Sequence, residues 1–195
     1  MKTITWDQGM WLNKPESLKI VGTSFYVTAK PESDFWRHTS YGFVHETAHV
    51  LLNDFPNNCA IEVSFILDYR GTFDQAGLIV YADEKRWTKA GIEFSDGAPQ
   101  LGAVVTDQKS DWSVAPVPEW FGKEVTIRAS RSGDALTIRA RCAGPWRLVR
   151  LAPLNEALHW RAGLHLASPL QEGLTVQFTR WESGEADETL HEDFS

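Results

Sequence analysis

The residues with the most obvious chemical promise are His45-Glu46-Thr47-Ala48-His49, a match to H-E-x-x-H. On a helix that spacing sets two imidazoles on one face to hold zinc, with the glutamate as general base. The surroundings argue against it. A helix would have to fit between Gly42 and the turn-rich run Asn53-Asp54-Phe55-Pro56-Asn57-Asn58, leaving about ten residues at most. The third histidine of the longer form of this motif would fall where Phe55 stands. If the segment is extended instead, four residues span about 13 Å, whereas two ligands of one zinc lie about 3–4 Å apart. No metal and no cofactor is expected.

A second constellation is built on alternation. Ala76, Leu78 and Val80 alternate with polar or small residues, as do Ala90, Ile92 and Phe94, and Asp83-Glu84 lies between the two runs as a turn. Paired as a hairpin, these runs place Tyr81 opposite Trp87, Ile79 opposite Lys89, Gly77 opposite Gly91 and Gln75 opposite Glu93. Burying the apolar set therefore puts Gln75, Tyr81, Trp87, Lys89 and Glu93 on the other face, with glycines that leave room for something to approach. This is the expected floor of a ligand groove, with Trp36, His38 and Trp112 as rim residues. Plainer readings stand beside it. Lys89 and Glu93 can be a surface ion pair, Trp87 can be packing, and Trp36 and Trp112 can cover sandwich ends, with Asp34 and Asp111 as turn acceptors. Arg139 and Arg141 alternate on a strand in the manner of solvent-facing residues.

The elements that must position these groups are strands. Period-2 alternation recurs at Ile61–Leu67, Val125–Ala129, Leu136–Ala140 and Leu174–Phe178, separated by turn signals such as Asn57-Asn58, Asp96-Gly97 and Ser132-Gly133-Asp134. That pattern predicts an all-β fold of two antiparallel sheets packed face to face. A short helix is expected only near Leu154–Leu158. The chain of 195 residues reads as one domain over 1–181, followed by an acidic, frayed tail over 182–195. Asp plus Glu outnumber Lys plus Arg by 26 to 19, which disfavours nucleic acid and anionic membranes as partners. Neither a membrane-length apolar run nor a secretory signal is evident. Cys59 and Cys142 suit reduced thiols of a cytoplasmic protein. Nine Trp, ten Phe and four Tyr exceed what such a core requires, and the surplus suits stacking on a ligand.

Taken together, Asp74-Gln75-Ala76-Gly77-Leu78, Trp87-Thr88-Lys89-Ala90-Gly91-Ile92-Glu93, Val104-Val105-Thr106, Asp111-Trp112-Ser113 and the upstream Ser33–Gly42 resemble a domain-of-unknown-function family. That family includes a yeast protein named for regulation of enolase and is similar to the concanavalin A-like lectin/glucanase superfold. The resemblance covers roughly Leu18 to Phe178. It implies a jelly-roll sandwich with a concave groove and makes His45–His49 resemble a strand. Glucanases of that superfold carry Glu-x-Asp-x-Glu on one strand, where this chain reads Lys89-x-Gly91-x-Glu93, so one acid remains. Glu62, on another strand, is then the only candidate second acid, and a lysine beside Glu93 would lower its pKa, the wrong direction for a general acid. The expectation is a non-catalytic module binding a carbohydrate-type or other small polar ligand. The alternatives are a regulatory partner of a metabolic enzyme, as the yeast relative's name implies, and a glycoside hydrolase using Glu93.

Overall fold

The computed structural model describes residues 1–170 and 173–191. In chain order the strands are β1 (Lys2–Thr3), β2 (Met10–Trp11), β3 (Ser17–Val21), β4 (Ser24–Thr28), β5 (Phe35–Arg37), β6 (Val44–Glu46), β7 (His49–Asp54), β8 (Cys59–Ile66) and β9 (Gln75–Asp83). They continue with β10 (Arg86–Ser95), β11 (Ala98–Asp107), β12 (Lys109–Pro116), β13 (Glu124–Ser132), β14 (Ala135–Arg141), β15 (Arg147–Pro153), β16 (Arg161–Ala167) and β17 (Thr175–Glu185). One sheet runs β15-β14-β13-β8-β17-β4-β3, with β1 added along β17; the other runs β12-β11-β10-β9-β16-β7-β2. The pair β5–β6 stands apart from both. This is an antiparallel β-sandwich of the concanavalin A-like, jelly-roll type.

Alternation decides which side of each strand enters the sandwich. Ile61, Val63 and Phe65 of β8, Val125, Ile127 and Ala129 of β13, and Ala76, Leu78 and Val80 of β9 are all buried in the core between the sheets. Their alternates face outward. On the β8–β13 side these include Ser64 and Thr126, whose hydroxyls are 2.9 Å apart, and Glu62, which accepts from Arg128 at 2.8 Å.

The expected hairpin forms with its register intact: Trp87 pairs with Tyr81, Lys89 with Ile79, Gly91 with Gly77 and Glu93 with Gln75. The turn itself is Glu84-Lys85, one residue later than the sequence suggested, and a bulge beside Arg86 sets Trp87 opposite Tyr81 rather than Ala82. Because a bulge inserts one unpaired residue, it restores the facing of every later pair.

Three expectations need correction. Residues 154–158 are a turn rather than a helix, held by Ala157 N–H on Asn155 Oδ1 at 3.0 Å and Leu158 N–H on Asn155 O at 3.2 Å. A side chain that competes for backbone donors favours turns over helix. The tail does not fray at 182, since β17 continues to Glu185 and Asp187 then bridges Arg128 at 2.7 Å and Arg139 at 3.0 Å. Charge, not apolar content, holds this segment; residues 192–195 lie outside those described. Arg139 is accordingly buried under the segment, not solvent-facing. Cys59 and Cys142 are unpaired.

Candidate functional site

The outer face of the β9–β10 sheet is partly roofed. Strands β5 and β6 pair antiparallel, Trp36 opposite His45, and lie over this face. The Asp34 carbonyl accepts from Thr47 and Ala48 N–H at 2.8 and 3.0 Å. Asn13 Nδ2 donates to Glu46 O and Ala48 O. Arg37 pairs with Glu46, and its backbone N–H donates to Ser110 Oγ at 3.0 Å. Such polar anchors at both ends fix a short hairpin that has no sheet of its own. The inner side of the roof buries a second apolar cluster containing Phe35, Val50, Leu52, Ile79, Tyr81 and Trp87.

Beside that cluster a pocket of about 680 Å³ remains open. Trp36, Tyr41, Phe43 and His45 wall it on the hairpin side, Trp112 and Val104 close another side, and Phe73, Pro169 and Leu170 face them. The aromatic wall is continuous. Trp36 meets Trp112 edge-on at 6.3 Å between centroids and 88°, and meets Tyr41 at 5.7 Å; Tyr41 stacks on Phe43 at 5.3 Å. Edge-to-face pairs at these separations are favourable and fix ring orientation.

The floor is polar and cross-linked. Lys89 Nζ donates to Gln75 Oε1 at 2.7 Å and to Asp34 Oδ1 at 3.2 Å, while Gln75 Nε2 donates to Phe73 O at 3.2 Å and Asp34 Oδ1 at 3.4 Å. Lys89 and Gln75 are both buried, and burying an ammonium without such partners would be prohibitive. An ammonium can only donate, so the Gln75 carbonyl oxygen must face Lys89. His165 Nε2 lies 3.5 Å from the same oxygen, and the ring also hydrogen-bonds the Gly77 backbone. Burial and the Lys89 charge hold the His165 pKa well below its ordinary value, so the ring is neutral. His165 lines a narrow inner extension of the pocket with Gln75, Lys89, Gly91, Glu93, Gln100 and Gly102.

Glu93 borders both the pocket and this extension. Burial raises its pKa; Lys89 lowers it, and Asp34 adds to the rise. The expected sign is thereby reversed, because Lys89 spends its charge on Asp34 and Gln75 and desolvation dominates. The supposed Lys89–Glu93 surface ion pair is absent among the described residues, Asp34 being the partner instead.

Of the eight residues expected to contact a ligand, Gln75, Lys89, Glu93, Trp36 and Trp112 meet in this pocket. Trp87 does share their face, yet it is 0% exposed beneath Phe35, whose ring centroid lies 5.3 Å away. It is packing under the roof, not an open stacking surface. Tyr81 is in the same apolar cluster, with Arg161 over its ring at 5.5 Å, away from the pocket. His38 sits exposed at the hairpin tip with φ of 63°, its backbone closing the loop to Phe43 and Gly42. Glu62 belongs to the other sheet and faces outward there, so it lies across the sandwich from Glu93 and cannot flank one bond with it. The glycines do not simply leave space: a Cβ on Gly91 would fall 2.1 Å from Ala76 O, so Gly77 and Gly91 permit close strand approach. Sequence reasoning missed Glu32, Phe43, Phe73, Leu170 and His165, which only the tertiary fold assembles; Asp34 and Tyr41 were noticed but given no part in the site. The two histidines of H-E-x-x-H part company. His45 joins the wall, whereas buried His49 accepts from Lys30 N–H at 2.9 Å and bonds Asn13 O through Nδ1 at 3.2 Å. Among the described residues no three His, Cys, Asp or Glu side chains gather in a way that could hold a metal ion.

A family model described as a protein of unknown function, DUF1349, matches residues 11–186. The chain belongs to that family. It is 36% identical over 175 residues to Regulation of enolase protein 1 of Saccharomyces cerevisiae, covering 89% of this chain and 88% of the relative. A crystal structure of a functionally unknown protein from the same yeast superposes with a TM-score of 0.87 at 34% identity, over 93% of this chain and 98% of that one. Beyond the DUF1349 family, the GH43 protein BlXynB of Bacillus licheniformis superposes at TM-score 0.71 with 8% identity, over 92% of this chain but 37% of that one. An alginate lyase from Klebsiella pneumoniae gives 0.58 at 10% identity, over 88% and 85%. At such identities these last two likenesses show the fold alone.

Proposed function

We propose that this DUF1349 protein is a non-catalytic binding module whose pocket takes a carbohydrate-type or other small polar ligand. The observation that carries the reading is the combination of ring faces and buried hydrogen-bonding groups in one cavity: Trp112 is 40% exposed beside the Lys89–Asp34–Gln75 network. Pyranose rings present flat C–H faces to indoles and hydroxyls to such networks, and a pocket with few, convergent polar groups is the usual form of a small-molecule site. A glycan array followed by calorimetry tests it. A sugar should bind the native protein, and Trp112→Ala should weaken it at least tenfold while leaving the far-UV spectrum unchanged. Failure of every sugar to bind, or indifference of binding to Trp112→Ala, would overturn the reading.

A regulatory role toward a metabolic enzyme is the second reading, supported by the name of the yeast relative and by an apolar rim in which Tyr41, Phe43 and Leu170 are exposed. Purified enolase mixed with the native chain should then co-elute, and a Tyr41→Ser/Phe43→Ser double variant should not. A cytosolic setting belongs to the same proposal, in keeping with two unpaired thiols. No described helix is long and apolar enough to cross a membrane.

A further inference from the structure

The donors and acceptors around the pocket are not balanced. Both protons of the Gln75 amide are taken by Phe73 O and Asp34 Oδ1, and the Trp36 indole N–H goes to Thr39 O at 2.9 Å. Lys89 spends two of its protons within the floor, and its charge is matched by Asp34 at 3.2 Å. The acceptors, by contrast, are left over. Glu93 and Glu32 line the pocket without an ion pair among the described residues, the charge of Lys89 being taken up by Asp34. Around these acceptors stand ring faces set at steep angles, Trp36 against Trp112 at 88° and against Tyr41 at 66°. A cation in contact with the face of any of these rings is attracted by its quadrupole.

We propose that the ligand carries a protonated amine, and specifically that the pocket selects an amino sugar with a free amino group over its neutral or acidic counterparts. An ammonium supplies only donors, which is what unused acceptors require. It answers Glu32 and Glu93, neither of which forms an ion pair among the described residues, and is attracted to aromatic faces. An N-acetylated sugar loses that charge, and a uronic acid adds a third negative group to a cavity whose single lysine is already engaged. The inference rests on the carbohydrate-binding reading and sharpens it.

The test is calorimetry on the full chain near neutral pH, with four probes: a glucosamine trimer, an N-acetylglucosamine trimer, a galacturonic acid trimer and tetramethylammonium chloride. The glucosamine trimer should bind at least tenfold more tightly than either other trimer. Glu93→Gln should remove most of that preference while keeping residual binding of the neutral sugar. Equal or tighter binding of the acetylated or acidic trimer would overturn the charge inference and leave the carbohydrate reading standing. Tetramethylammonium binding as tightly as the glucosamine trimer would do the reverse, retaining the cation and removing the sugar. Silence from all four probes would sink both.

Discussion

Desolvation raises the Glu93 pKa against the pull of Lys89, and a group whose pKa is raised on folding favours the native state only while protonated. Its contribution is complete below the unfolded value, about 4.3, and is lost as pH rises through the folded one. At neutral pH the ionised carboxylate therefore opposes folding. Glu93→Gln should raise the melting temperature at pH 7, and the gain should disappear below pH 4; a lower melting temperature at pH 7 would refute it. A residue that costs stability where it sits is a mark of a site rather than of a scaffold. Trp87 gives the opposite case. Enclosed under Phe35, it should cost about 3–5 kcal/mol on replacement by alanine, measured by urea unfolding, where a stacking residue on an open floor would cost far less. Its face was legible in the sequence, because parity alone places it opposite Tyr81. Its burial was not, since that depends on a hairpin some fifty positions upstream folding over it.

Elements divide the work between framework and cover. Strands β9 and β10 were readable because one face is apolar throughout, so a one-residue slip would expose the whole set. The bulge at Arg86 was not: a plain turn at Glu84-Lys85 would pair Ala82 with Trp87, and only the bulge sets Tyr81 opposite Trp87. The Gly77–Gly91 pair was noticed for its lack of side chains, and the structure supplies the reason, backbone crowding between adjacent strands. Gly91→Ala should destabilise the fold by about 1–3 kcal/mol through overpacking; unchanged urea unfolding would show that the strands can separate freely. The β5–β6 cover carries few signals of its own, being two three-residue strands whose anchors are side chains such as Asn13 and Ser110 from elsewhere in the chain. The end of β17 was misread for a related reason. An acidic, apolar-poor segment looks disordered in isolation, but Arg128 and Arg139 wait on the strands beside it.

Across the whole molecule the two outer faces hold charge differently, and that difference governs acid stability. The β8–β13 face matches Glu62 and Asp187 against Arg128 and Arg139, whereas the β9–β10 side buries imidazoles. His165 and His49 are both held below their ordinary pKa, chiefly by burial. Each stabilises the fold while neutral in both states, and that contribution is lost as pH falls below the unfolded value, about 6.5, toward the lower folded one. Asp74, raised by burial against its hydrogen bond from Ser168, works in the other direction together with Glu93. These carboxyls regain stability as they protonate, so they oppose the histidine limb. The histidine contribution should appear as a fall in melting temperature as pH drops below about 6.5. His165, enclosed beside Lys89, should account for the larger part, because its pKa is held well below the ordinary value whereas that of His49 is only lowered. Replacing it by glutamine should flatten that limb of the melting-temperature profile, whatever its effect on the absolute value at pH 7. An unaltered slope between pH 6.5 and 5 would mean that His165 protonates in the folded protein as readily as in the unfolded chain, against the burial that encloses it.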